Sequence, residues 1–94
     1  MVVGVLELSL AVPAFTLKEK RSVIKRVLHR TRNTFNVAAA EVEDLDVPGS
    51  AVIGIVGVSN DRRFLEGMLQ KVETFVDQLE LAEITDAHRS FEHY

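Results

Sequence analysis

The chain has 94 residues, 47% of them hydrophobic, no cysteine and a formal net charge of −3. That is one domain's worth of chain with an apolar fraction large enough for a single core. It excludes disulfides and thiolate metal sites, and no run approaches the ~20 apolar residues of a membrane span. Val2 to Leu10 alternates, with Val2, Leu6, Leu8 and Leu10 on one parity and Glu7 and Ser9 on the other. This predicts a half-buried strand that ends before Pro13 and Ala14. Thr16-Leu17-Lys18-Glu19 reads as a capping box opening a helix. Leu17, Ile24, Val27, Leu28, Thr31 and Phe35 hold one face at the helical period, so the helix extends to about Thr34. Asn36 to Glu43 is a second strand, poorer in large side chains, and the 44–50 segment is a turn marked by Pro48-Gly49. Ala51 to Ser59 is apolar on both parities and suits a central strand. Ser59-Asn60-Asp61 supplies cap chemistry for a second helix, whose stripe runs from Phe64 and Leu65 through Met68, Leu69, Val72, Phe75 and Val76 to Leu79. The 82–94 segment closes the chain as an edge strand.

The order β-α-β-β-α-β predicts a ferredoxin-like α+β domain over residues 1–94, with a four-stranded antiparallel sheet and both helices on one face. Thr16-Leu17-Lys18-Glu19-Lys20-Arg21-Ser22, Phe35-Asn36-Val37, Ala40-Glu41-Val42 and Val58-Ser59-Asn60-Asp61-Arg62 resemble the YlxP-like family of small uncharacterised bacterial proteins. The resemblance covers essentially the whole chain. It implies a ferredoxin-like fold, a cytoplasmic setting and a genomic neighbourhood of translation initiation and ribosome maturation factors. It supplies no activity and no catalytic residues.

Charge is the strongest functional signal. Seven of the eleven Lys and Arg residues fall between Lys18 and Arg32 against Glu19 alone, a net of +6, while the remaining residues carry four basic and thirteen acidic side chains, a net of −9. On a helix, Lys18, Arg21, Lys25, His29 and Arg32 fall within a sector of about 80°. Like charges at this spacing repel, and phosphates would relieve that repulsion. Glu66, Gln70, Glu73, Asp77 and Glu80 form an opposing stripe on the second helix. With right-handed crossovers the two stripes should project toward opposite edges of the helical layer. The groove between the helices should then be lined by Arg26, Arg30, Arg63 and Lys71, with Gly67 permitting close approach.

These residues predict a non-enzymatic module that binds RNA or a ribonucleoprotein such as the ribosome through the first helix. No DNA sequence readout, membrane insertion or secretion is expected, and no cofactor or metal. The rival expectation is a protein-interaction or small-ligand module acting through the helix-free sheet face, where Val3 and Val5 lie away from Leu6 and Leu8. Such an apolar face also suggests a homodimer. Several familiar chemistries lack their parts. The central strands carry no aromatic residue on which an RNA-recognition sheet would stack bases. Leu10-Ala11-Val12-Pro13-Ala14 has neither the Arg nor the Gly of an acylphosphatase cradle. His88 and His93 should point to opposite faces of a strand, and Asp44 and Asp46 read as turn residues. Glu41 and Glu43 share a parity with Val37 and Ala39, and the expectation for them is a solvated strand face, the weaker alternative being an enzyme that uses one or the other as acid or base.

Overall fold

The computed structural model describes residues 1–94. Its elements are β1 (Val2–Ala11), α1 (Leu17–Thr34), β2 (Ala38–Glu43), β3 (Ser50–Ser59), α2 (Arg62–Leu79) and β4 (Glu83–His93). The sheet order is β2-β3-β1-β4 with every pair antiparallel, which is the ferredoxin-like arrangement. β1 and β3 are the central strands. Both crossover helices pack on one face, against the even-numbered residues of β1 and the odd-numbered residues of β3.

The alternation of β1 does what its sequence dictates. Leu6, Leu8 and Leu10 face the helices and are buried, as are Ile53 and Ile55 opposite them on β3. From above, α1 contributes Ile24 and Val27, and α2 contributes Leu69, Val72 and Val76. Phe35 and Phe75 meet edge to face, with ring centroids 5.4 Å apart, and join the two helices at the rim of this core.

Both helices start where cap chemistry places them. Thr16 Oγ1 accepts from the Glu19 amide at 3.1 Å, and its hydroxyl donates to Glu19 Oε1 at 3.0 Å. Glu19 thus closes on the cap hydroxyl rather than the cap amide. The first helix loses little by this, because the orphan amide is still satisfied, a contribution of about 1 kcal/mol. Asp61 caps α2 by accepting from the amides of Arg63 and Phe64. Ser59 in turn orients Asp61 by accepting from its amide at 3.1 Å.

β2 is shorter than the sequence predicts. Asn36 and Val37 belong to the α1–β2 connection, and a bulge between Glu41 and Glu43 shifts its register on β3. The bulge also separates the two glutamates, which parity alone would put on one solvated face. Glu41 stays on the helix side opposite Ile53, half-buried, whereas Glu43 falls opposite Val52 and borders the helix-free face with Val42 and Gly54. A bulge changes side-chain parity by one, and strand composition does not announce it.

Candidate nucleic-acid interface

The basic helix is exposed where its periodicity places the stripe. Lys18, Arg21, Lys25, Arg26, His29, Arg30 and Arg32 all lie on its solvent side. Lys20 does not. It falls three residues after Leu17 and four before Ile24, which is the core face, and it is fully buried. Its ammonium donates to the carbonyl oxygens of Asp44 and Ser50, the latter at 3.0 Å, and lies 2.9 Å from Glu41 Oε2. That carboxylate oxygen is itself buried and accepts no well-angled hydrogen bond, so the contact is an ion pair. The net of +6 for the helix therefore overstates its surface. Six cations and Glu19 face solvent, and the seventh cation is an internal clip among α1, β2 and the β2–β3 turn.

None of the six exposed cations on α1 has an acidic partner. The three ion pairs of the molecule are Lys20–Glu41, Arg62–Glu66 at 2.9 Å and Arg89–Glu73 at 2.6 Å. Two stripe members make local contacts instead. Arg32 Nη1 donates to the Ala39 carbonyl of β2 at 2.8 Å, and the His29 ring lies 3.1 Å from the Asn33 amide. Lys18, Arg21, Lys25, Arg26 and Arg30 remain available to a ligand.

The acidic stripe of α2 leans the other way. Arg89 of β4 donates to Gln70 and Glu73, and Arg62 packs over the Phe91 ring at 4.8 Å while pairing with Glu66. Arg32 reaches β2 at one edge of the sheet and Glu73 reaches β4 at the other. The molecule is thus electrically bipolar, with its acidic edge partly neutralised from within the chain.

The groove between the helices differs from the sequence expectation. Arg63 and Lys71 line it with Gly67, but Arg26 and Arg30 do not; α1 offers only its C-terminal end, through Thr34, Phe35 and Asn36. Nor does Gly67 permit close approach, because a side chain built there would meet nothing within 4 Å. The groove is open. One wall is Phe64, 62% accessible, although the helical period assigns it to the apolar stripe. Phe64 is one position before the fully buried Leu65, so its ring sits at the edge of the stripe rather than in it.

On the opposite side of the molecule Val3 and Val5 are half-buried, paired with Val58 and Val56 of β3. Val58 is 62% exposed, and Val42 adds to the same face. His88 and His93 are on opposite sheet faces, and nowhere do three or more His, Cys, Asp or Glu residues gather in a way that could hold a metal ion. No helix is long and apolar enough to cross a membrane.

Comparison with known proteins places the chain. The structural-genomics protein YJCS superposes with a TM-score of 0.50 at 15% identity, covering 94% of this chain and 96% of that one. At that identity the likeness speaks for the fold alone. A variant of SnoaB, a cofactor-independent oxygenase from Streptomyces nogalater, gives 0.47 at 18% identity over 99% of this chain and 92% of that one. The uncharacterized protein YlxP of Bacillus subtilis (strain 168) is 44% identical over 64 residues, which is 68% of this chain and 70% of that protein. Residues 3–89 match the family described as protein of unknown function (DUF503). With nearly its whole length inside that match, the chain belongs to the DUF503 family.

Proposed function

We propose that the protein binds RNA, free or within a ribonucleoprotein, through the solvent face of α1. One observation carries this reading: every exposed cation of the helix lacks an acidic partner, although acidic side chains outnumber basic ones in the chain. A helix that needed only solubility would be better served by mixed signs, since like charges at i,i+4 each cost a few tenths of a kcal/mol. A phosphate backbone supplies the missing counter-charge and releases its own counter-ions on binding.

The test is a salt titration of binding to a labelled single-stranded RNA by fluorescence anisotropy. Reversal of Arg21 and Lys25 to glutamate is expected to weaken binding at least tenfold near 0.1 M salt. It should also flatten the dependence of log K on log salt by ~0.7 for each phosphate no longer neutralised. Neither side chain is tied to the protein, so the thermal midpoint should stay near that of the parent. Equal affinity and equal salt slope in the double variant would remove the reading. Arg32 is a poorer choice for reversal because its guanidinium also holds the Ala39 carbonyl at the β2 edge.

A second use is favoured by the helix-free face, where Val58, Val56 and Val42 are exposed beside Val3 and Val5. A second copy of the chain is the occupant that such a face suits, its valines covering the same valines of the partner while Glu7, on the same face of β1, stays at solvent. Sedimentation velocity at high micromolar concentration should show self-association that Val58→Lys abolishes. A parent chain that stays monomeric throughout would leave these valines as a surface for a different protein.

A further inference from the structure

Resting on the RNA reading above, we infer that the groove beside α2 holds one unpaired nucleotide of a single-stranded RNA, its base stacked on Phe64, one of its two flanking phosphates on Lys71 and the other on Arg63. Three independent features of the groove converge on this ligand.

The first is Phe64. Its ring is 62% exposed, and the one aromatic pair of the molecule, Phe35 with Phe75, does not include it. It sits in the first turn of α2, held from behind by the hydrogen bond from its amide to the Asp61 cap and by the buried Leu65 next to it. An exposed aromatic on a rigid helix start offers a pre-placed π-face, the feature on which single-strand binders stack bases.

The second is Gly67. Glycine inside a helix is less favourable than alanine. Close packing is a common reason to accept that, and it is absent here, because beyond the helix's own backbone and adjoining residues nothing lies within 4 Å of the position a Cβ would take. What the missing side chain does is leave the stretch between Phe64 and Lys71 open, with Met68 beside it. Residues 64, 67 and 71 lie along one line of the helix at i, i+3 and i+7, roughly 10 Å from end to end. That span accommodates a base at one end, a sugar over the glycine and a phosphate at the other.

The third is charge. Arg63 and Lys71 both line the groove and neither joins an ion pair. The bank contributed by α1 is polar, with Thr34 and Asn36, and the exposed Asn36 amide makes no hydrogen bond within the chain. An apolar peptide would leave two cations and an amide unanswered. A nucleotide answers all of them: phosphate for the cations, a base edge for the amide and a π-face for the ring. Double-stranded RNA cannot enter, because its bases are already stacked.

The experiment uses the full chain and two variants that disturb the groove without touching the α1 stripe. Phe64→Leu keeps an apolar side chain and removes the π-face; Gly67→Met fills the floor and raises helix propensity, so the fold should tolerate it. Each should bind a single-stranded RNA 12-mer about 5- to 100-fold more weakly than the parent. For Phe64→Leu the salt slope should not change, since every phosphate keeps its cation. A 2-aminopurine placed in the 12-mer should be quenched by the parent and not by Phe64→Leu. Parental affinity and quenching in both variants would overturn the groove site, and the α1 reading would survive if the Arg21/Lys25 reversal still weakened binding. Absence of RNA binding by the parent itself would end both. Uridine monophosphate binding as tightly as the 12-mer would overturn the RNA assignment in favour of a free-nucleotide pocket, and response of a duplex RNA to Phe64→Leu would overturn the stacking role.

Discussion

Lys20→Ala should cost about 3–5 kcal/mol, a large share of the stability of a domain this size. The physical account is local and complete. Lys20 is fully buried, and its ammonium serves three acceptors: the Asp44 and Ser50 carbonyls and Glu41 Oε2. Truncation leaves a carboxylate only 15% exposed without its counter-charge and takes one donor from each of two carbonyls, of which Asp44 keeps the Val47 amide at 3.0 Å. It also opens a cavity under α1. The two acceptor carbonyls bracket the β2–β3 turn, where Asp44 adopts a left-handed φ of 61° and its carboxylate accepts from the Ser50 hydroxyl. The turn should therefore loosen before the sheet does. Chemical denaturation of Lys20→Ala, Glu41→Leu and Lys20→Met/Glu41→Leu tests this. The paired apolar replacement should recover much of the loss, because an ion pair removed whole is far less costly than one broken in half. If Lys20→Ala melts like the parent, the ammonium is not the clip described here.

This residue also marks how far the sequence can be read. The strands, the helix starts and the chain order are legible because they rest on local signals: parity in β1, a Thr16–Glu19 cap, an Asp61 cap, Pro48-Gly49 in the turn. β4 is an edge strand, as expected for the last element, although its alternation is weak. The opposite displacement of the two charged stripes follows from helical phase and crossover handedness, and Arg32 on β2 with Glu73 beside β4 bears that out. What fails is non-local. Lys20 occupies a core position by spacing, a signal present in the sequence, but a lysine is read as surface until its partner is known. That partner, Glu41, is placed by a strand pairing that no short window encodes, and the bulge after it parts it from Glu43. Gly67 misleads in the same way. A glycine on a helix facing its neighbour suggests contact, whereas the space there is empty, and emptiness is a property of the packed molecule alone. The exposure of Phe64 is hidden because one residue's shift around a helix separates the core from its rim.

Gly4→Ala should destabilise the protein more than Gly57→Ala, although the two glycines are cross-strand partners under the same helix. Neither has a positive φ, so the requirement is space rather than backbone freedom. A methyl on Gly4 would sit 2.8 Å from Leu65 Cδ2, 2.9 Å from Leu65 Cγ and 3.0 Å from Leu69 Cδ1. Both leucines are fully buried, so Leu65 Cγ can withdraw only by a χ1 change into packed surroundings or by a shift of the helix. On Gly57 the nearest atom is Met68 Cε at 2.6 Å, the free end of a flexible and half-buried side chain, and Leu65 Cδ1 follows at 3.1 Å. Overpacking that the neighbour cannot escape costs typically ~1–3 kcal/mol, which for a domain of this length lowers the melting midpoint by about 4–8 °C per kcal/mol. Gly57→Ala should fall below that range, because Met68 can swing aside and alanine restricts the unfolded chain. Thermal melts of both variants decide the order. Leu65→Ala gives the internal control: alone it should cost about 2–5 kcal/mol by leaving a void, and Gly4→Ala should then restore part of the loss by filling it. An order reversed, or a Gly4→Ala effect that simply adds to Leu65→Ala, would mean that α2 is not seated on this pair of glycines. The seating matters beyond stability, because Leu65 is the residue that anchors the helix start from which Phe64 and Arg63 project, and a helix lifted at Gly4 would carry both away from Thr34 and Asn36 across the groove.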